Sequence, residues 1–135
     1  MARQELKVEE VVRRLCSMPA DFYAGSKSMA QLVSESGVEQ CPAALAAPEL
    51  STYIARHPES VEAWLRWSDK PYANTWVFER RGSGFVVFYY PNGEELKIDD
   101  PALACAEFMV REVKGIMARR RRNWLRTLWP FGDRV

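Results

Sequence analysis

TWVFERRGSGFVVFYYPNGEELKIDDP, residues 75–101, is the stretch that decides the fold of this chain. Before it, apolar side chains recur with a period of about 3.6 residues. Within it the period falls to about 2, and the residues become aromatic and β-branched. Three strands are predicted, TWVFER, FVVFYY and EELKI, joined by the glycine-bearing turns RGSG and PNGE. The expected product is a three-stranded antiparallel meander.

The middle strand is apolar on both of its faces, because Phe85, Val87 and Tyr89 alternate with Val86, Phe88 and Tyr90. Each face should therefore be covered. The segment that follows predicts one cover, a helix with Asp100 as its N-cap and Pro101 as its first residue. Its core-facing stripe is predicted to be Leu103, Ala106, Val110, Val113 and Met117.

The residues before the strands predict several helices. In ELKVEEVVRRLC the apolar residues follow a helical period, and this helix is expected to end before Met18-Pro19, since the residue before a proline is disfavoured in helices. Ser28 and Gln31 resemble a capping box for a short helix that Gly37 closes. The fold class is therefore α+β: N-terminal helices, a three-stranded antiparallel meander, and a C-terminal helix packed on the sheet.

A chain of 135 residues corresponds to one domain. We assign that domain to residues 1–117, and we assign residues 118–135 to a basic, tryptophan-containing C-terminal extension. The start, MARQELKVEE, is too acidic for a signal peptide, and no apolar run approaches the roughly 18 residues of a membrane span. A cytoplasmic protein is expected. Its three cysteines, Cys16, Cys41 and Cys105, are predicted to be buried thiols.

The net charge of +1 conceals a strong asymmetry along the chain. Residues 1–110 contain 11 lysines and arginines against 16 aspartates and glutamates, a net charge of −5. Residues 111–135 contain 8 against 2, a net charge of +6. Because summed charge steers molecular encounters, this asymmetry predicts that the body and the tail attract different partners.

The sequence contains no catalytic, metal-binding or cofactor signature. It has one histidine, His57, and no CxxC, HxxxH or HExxH spacing for a metal. His57 precedes a proline at a predicted helix boundary, where a capping role is favoured over that of a catalytic base. No phosphate-binding glycine motif is present, and RGSG is interpreted as a turn. We therefore expect a non-enzymatic protein without cofactor or metal.

The tail MARRRRNWLRTLWPFGDRV, residues 117–135, combines arginines with tryptophans. As a continued helix it would place Trp124, Leu125, Leu128 and Met117 near one side. The candidate binding residues in this tail are Arg119, Arg120, Arg121, Arg122, Trp124, Arg126 and Trp129. Three interpretations remain open: a helix docked on its own domain or extended into solvent, a site for an anionic membrane or nucleic acid, and a site for a protein partner.

The segment WLRWSDKPYANTW, residues 64–76, holds three tryptophans. Trp64 falls on the apolar stripe of its helix and Trp76 opens a strand, so both are predicted to build the core. Trp67 lies one position off that stripe, beside a charged turn. It is the best candidate among the three for a partly exposed anchor at a protein interface.

EAWLRWSDKPYANTWVFER and GFVVFYYPNGEELKIDDPALACAEFMVREVKGI together resemble the small immunity proteins that bacteria encode beside polymorphic or contact-dependent toxins. The resemblance covers about residues 59–117. It implies inhibition by binding, with a cognate toxin domain masked at or near its active site, no turnover and no cofactor. On this hypothesis an acidic body complements a cationic toxin domain. The expected contacts are Glu94, Glu95, Asp99 and Asp100 on the acidic side, and Trp67, Asp69 and Tyr72 in the turn.

A different class of function is the alternative. The protein would then be membrane-peripheral or associated with nucleic acid, and it would act through the arginine- and tryptophan-rich tail. The oligomeric state, the identity and activity of the toxin, and the stoichiometry are left open by the sequence.

Overall fold

The structure is a computed structural model that describes residues 2–69 and 74–128, with side chains for residues 7–69, 74–122 and 125. Five helices and three strands follow one another along these parts of the chain. In chain order they are α1 (Ala2–Ala24), α2 (Met29–Ser36), a single 3₁₀ turn (Pro42–Ala44), α3 (Ala47–Arg56), α4 (Glu59–Ser68), β1 (Thr75–Arg81), β2 (Gly84–Tyr90), β3 (Leu96–Ile98) and α5 (Pro101–Leu128). The predicted α+β class is confirmed.

The three strands form the expected antiparallel meander in the order β1-β2-β3. Gly82 and Ser83 alone connect β1 to β2, and Gly82 has φ +63°, a value that favours glycine in a tight hairpin. The second connection is longer than a tight Asn-Gly turn because β3 contains only three residues, which leaves Glu94 and Glu95 in the loop. A glycine is required at position 93 of this loop because a side chain would not fit. A Cβ at this position would lie 2.6 Å from the carbonyl oxygen of Tyr89.

Helix α5 covers one face of the sheet, and it begins as predicted. The backbone N–H of Leu103 donates a hydrogen bond of 2.8 Å to Asp100 Oδ2, which makes Asp100 the N-cap. On the sheet, Phe108 stacks on Phe78 with ring centroids 5.5 Å apart. The predicted stripe is wrong at Leu103, whose side chain is 37% exposed. The buried residues described in α5 are Ala102, Ala104, Cys105, Ala106, Phe108, Met109, Glu112, Val113 and Ile116, because α5 packs on α3 as well as on the sheet.

Helix α1 does not end before Met18-Pro19 as predicted, but continues through Pro19 to Ala24. A proline inside a helix costs about 3 kcal/mol, since it removes a hydrogen bond and clashes with the preceding turn. Here Met18 is fully buried, and Phe22 one turn later packs edge-to-face against Trp67 with ring centroids 4.9 Å apart. The burial of these side chains offsets the local cost.

Other local expectations are met in the N-terminal half. Ser28 Oγ accepts a hydrogen bond of 3.1 Å from the backbone N–H of Gln31, and Gly37 closes α2 with φ +87°. The Gln31 side chain bonds to Glu35 instead of completing the capping box. Trp64 is fully buried, as predicted. None of the helices, over the residues described, is both long and apolar enough to cross a bilayer.

Candidate functional site

The two faces of the sheet differ in what lies against them. The inner face carries Phe78, Phe85 and Val87, which belong to the main core beneath α5. Helix α4 lies along the free edge of β1, where Ser68 Oγ accepts a hydrogen bond of 2.6 Å from the N–H of Phe78. The opposite face, which we call the outer face, is formed by Val77, Glu79, Arg81, Val86, Phe88, Tyr90 and Lys97.

Among the described residues, long charged side chains, and not a second helix, shield the centre of the outer face. Arg81 pairs with Glu79 at 3.2 Å and also with Glu95, and its guanidinium lies 6.0 Å from the centroid of the Phe88 ring. Beneath this cluster Val86 is only 2% exposed, although it does not belong to the main core. The middle strand was predicted to be covered on both faces, and on the outer face this cover is a layer of ionic side chains.

Apolar surface remains accessible beside that layer. Val77 and Phe88 are cross-strand neighbours, and each is half-buried. Tyr90, two residues further along the same face, is 42% exposed. Tyrosine and phenylalanine beside polar groups are enriched in the centres of protein interfaces. The outer face therefore has the composition of a binding surface.

Acidic groups flank the outer face at both edges. Asp69 and Glu79 line a groove of about 410 Å³ between α4 and β1, together with Arg66 and with Arg80, which pairs with Glu62. At the opposite edge, Glu94 and Glu95 precede β3 and Asp99 follows it. The hydrogen bond donated by Arg81 lowers the pKa of the Glu95 carboxyl group, so this group stays ionised well into the acid range. The exposed carboxylates at the two edges that form no ion pair with a described residue are those of Asp69, Glu94 and Asp99.

The structure gives two of the predicted acidic contacts internal roles. Asp100 caps α5, and Glu95 pairs with Arg81. Glu94, Asp99 and Asp69 are exposed. Tyr72, the remaining turn residue, lies outside the described residues.

Trp67 is held by contacts within the protein. Its Nε1–H donates a hydrogen bond of 2.9 Å to Oε2 of Glu112 on α5, while its ring packs against Phe22 on α1. Glu112 is only 5% exposed, and its other oxygen, Oε1, has no hydrogen-bond partner among the described residues. The indole thus joins α1, α4 and α5, and Trp67 satisfies half of a buried carboxyl group.

The predicted tail residues fall into three groups. Arg119, Arg121 and Arg122 are exposed on α5, whereas Arg120 pairs with Glu39, which follows α2. The side chains of Trp124 and Arg126 and the whole of Trp129 lie outside the described part. Helix α5 continues without a break through residue 117 to Leu128.

The groups with nucleophilic potential are placed where they do not react readily. Cys16, Cys41 and Cys105 are all buried. Burial raises the pKa of the Cys16 thiol to about 12 and that of Cys105 well above its ordinary value. His57 follows the end of α3 and stacks on Tyr53 with ring centroids 4.1 Å apart. In the described residues, no three His, Cys, Asp or Glu side chains are grouped to hold a metal ion.

A cleft of about 750 Å³ between α1 and α2 is also occupied by internal pairs. Its charged residues include Arg14, Lys27 and Glu35. Lys27 pairs with Glu35 at 2.7 Å, and Arg14 donates to the Glu35 carbonyl oxygen at 3.2 Å. These groups already satisfy one another, so the cleft offers less to a ligand than the sheet does.

Sequence reasoning did not single out Val77, Phe88 and Tyr90 as candidate contacts. The period-2 alternation places these residues on one face of the sheet, but the same pattern marks the inner residues equally well. Only the packing of α5 distinguishes the two faces. Comparison of the chain with protein-family models, with curated proteins and with solved structures found no significant match.

Proposed function

We propose that the protein is a non-catalytic inhibitor of the immunity type, which binds one basic protein domain through the outer face of its sheet. The observation that carries this proposal is the accessible apolar surface of that face, where Val77 and Phe88 are half-buried and Tyr90 is 42% exposed, on the side of the sheet away from α5. The resemblance of residues 59–117 to bacterial immunity proteins supports the same class of function.

Charge indicates the kind of partner. Around this apolar surface lie the exposed carboxylates of Asp69, Glu94 and Asp99, while those of Glu79 and Glu95 are paired with Arg81. The cations on the outer face itself are Arg81 and Lys97. With a net charge of −5 over residues 1–110, this surface favours a cationic partner such as a nuclease-type toxin domain.

The area of the outer face is too small to form a whole protein interface. With strands about 4.8 Å apart and a rise of about 3.3 Å per residue, a face of three strands measures on the order of 350 Å². A standard interface buries about 800 Å² on each partner. The partner must therefore also reach the flanks, where Asp69 lies at one edge and Glu94 and Asp99 lie at the other.

The roles proposed for the turn and the flanks follow from their placement. Asp69, Glu94 and Asp99 steer the partner and contact it at the edge of the interface. Trp67 and Asp100 act within the protein, because the Trp67 indole is bonded to Glu112 and Asp100 caps α5. Tyr90 is the central anchor, and its loss should mainly raise the dissociation rate.

The test is affinity capture from cells that naturally make the protein, with a tagged full-length chain. The double variant Val77→Lys/Tyr90→Lys places two cations in the proposed interface. The matched control, Gln40→Lys/Ala55→Lys, adds the same charge at two exposed positions away from the sheet. Thermal unfolding by circular dichroism verifies that both variants are folded.

The proposal expects one basic protein, retained in stoichiometric amount by the wild type and by the control. Its affinity, measured with purified partner, should fall by at least about 30-fold in the sheet variant. Co-expression should restore the growth of cells that make the partner, and the sheet variant should fail to do so. Equal retention by both variants would remove the outer face from the proposal, and an acidic or absent partner would overturn the function itself.

A further inference from the structure

The last turns of α5 extend beyond the buried part of the domain. Ile116 is the last residue of α5 whose described side chain is buried. After it, Ala118, Arg119, Arg121 and Arg122 are exposed, and Leu125 is 52% exposed. Residues 118–128 span about 16 Å at 1.5 Å per residue. This segment makes a cationic helix end that also presents apolar surface.

One face of the segment continues an apolar groove on the body of the domain. The groove has a volume of about 570 Å³ and lies between α5 and the segment that follows α2. Val38, Glu39, Pro42 and Leu45 line one side, and Lys114, Met117, Ala118 and Arg121 line the other. Positions 114, 118, 121 and 125 recur at helical spacing, so Leu125 lies on the face of α5 that forms the groove.

The cations around this groove are available to a ligand. Arg120 is engaged by Glu39, and this pair fixes the helix to the segment that follows α2. Arg119, Arg121 and Arg122 form no ion pair with any described residue, and Lys114 is exposed at the other end of the groove. Two exposed cations, Lys114 and Arg121, therefore line the groove, and the exposed Arg119 and Arg122 lie on the same helix end as Met117 and Leu125.

We propose that this surface, the groove together with the end of α5, binds an anionic phospholipid bilayer at its interface. Arginine and lysine contact the lipid phosphates, while the exposed Leu125 enters the boundary between headgroups and acyl chains and the partly exposed Met117 lies beside it. Nucleic acid would use the cations alone, because recognition of a phosphate backbone does not require an apolar surface. The exposed Leu125, in register with the groove, is what favours a bilayer.

The surface is separate from the proposed inhibitor site. Its groove opens between α5 and the segment that follows α2, whereas the outer face lies on the side of the sheet away from α5. Both surfaces could be occupied together, so one protein domain and a membrane could be held by the same molecule. Failure of either proposal leaves the other standing.

The test is binding of the full-length protein to sedimented vesicles. One set contains phosphatidylglycerol and phosphatidylcholine in equal amounts, and the other contains phosphatidylcholine alone. Each cation near an anionic surface changes partitioning by about fivefold, so Arg119→Gln/Arg121→Gln/Arg122→Gln should weaken binding to the anionic vesicles by about 100-fold. The variant Leu125→Gln should weaken it by about fivefold to tenfold, because it removes the apolar contact.

Two controls separate this site from general charge attraction. Arg13→Gln/Arg56→Gln/Arg66→Gln removes the same number of exposed cations away from the end of α5 and should leave binding within about threefold. Binding of a duplex DNA and of an RNA oligonucleotide is measured in parallel. No preference for anionic over neutral vesicles would overturn the proposal. Nucleic-acid binding that is insensitive to Leu125→Gln but lost with the three arginines would replace it.

Discussion

The hydrogen bond from Trp67 to Glu112 provides a sharp test of how the helices are held together. In Trp67→Phe the Nε1–H is lost and Oε2 of Glu112, a residue only 5% exposed, loses its hydrogen bond, so that neither oxygen of this carboxyl group has a partner among the described residues. Leaving a buried polar group unsatisfied costs about 2 kcal/mol. The smaller ring also loses part of its contact with Phe22, which costs about 1 kcal/mol more. We expect Trp67→Phe to lower the free energy of unfolding by about 3 kcal/mol.

The assay is urea unfolding followed by circular dichroism, on a double-mutant cycle with Glu112→Leu. For 135 residues, a loss of about 3 kcal/mol corresponds to about 10 °C in Tm. Removing both polar partners leaves no unsatisfied group, so the double variant should recover about 2 kcal/mol relative to the sum of the single changes. Trp76→Phe is the matched control, since Trp76 is half-buried and its ring packs against Tyr89.

A coupling energy below about 0.5 kcal/mol would refute this reasoning. So would an equal loss of stability in Trp67→Phe and Trp76→Phe, because the buried carboxyl group would then add nothing to the cost. The experiment also separates two roles of Trp67. A structural role predicts lower stability with partner affinity retained at low temperature, whereas a direct contact predicts lower affinity in a folded variant.

Three further predictions concern single positions. Burial raises the pKa of the Cys16 thiol to about 12. This thiol should therefore not react with a disulfide reagent at mildly alkaline pH until guanidinium unfolds the chain. Rapid reaction of Cys16 in the native protein would contradict its burial. Gly93→Ala should lower the free energy of unfolding, measured with urea, by about 2 kcal/mol, because its Cβ would approach the Tyr89 carbonyl oxygen. Gly25→Ala should lower it much less, because the Cβ at this position would have an ordinary contact of 3.4 Å. Asp100→Ala should cost about 1 kcal/mol through loss of the α5 cap, and Asp99→Ala, one residue earlier, should change stability by less than half of that.

The charge layout connects the two proposals. The acidic flanks of the outer face and the cationic end of α5 occupy different surfaces, which agrees with the charges of −5 and +6 in the two parts of the sequence. A basic protein partner complements the acidic flanks, and an anionic membrane complements the cationic end of α5. The affinity of each interaction should fall as the salt concentration rises. Because the two surfaces are separate, the acidic flanks and the cationic end of α5 do not neutralise each other within one molecule.

Local signals were sufficient for most element types. The change of period at Thr75, the glycine at position 37 and the Asp100-Pro101 pair each act over a few residues, and each is confirmed. The end of α1 was predicted wrongly because it depends on contacts between residues that are distant in the sequence. A proline rule describes an isolated helix, whereas here Met18 is buried in the core and the partly buried Phe22 packs against Trp67 of α4.

The candidate site was less accessible to sequence reasoning. Asp69, Glu94 and Asp99 were singled out by their charge, and the structure leaves them exposed. Val77 and Phe88 were not singled out, because an apolar residue on a strand fits either face equally well. Trp67 was noticed for its position off the apolar stripe, but its bond to Glu112 joins residues 45 apart in the chain.

The sequence by itself determined the order of helices and strands, the meander, the start of α5 and the separation of acidic body from basic tail. These depend on periodicity, capping and composition, which act between near neighbours or require no geometry at all. The tertiary structure alone decided which face of the sheet is covered, which carboxylates are engaged internally, and that the groove beside α2 continues onto the end of α5. Each of these depends on the packing of distant segments, and a one-dimensional pattern does not encode which of two equivalent apolar faces another element will bury.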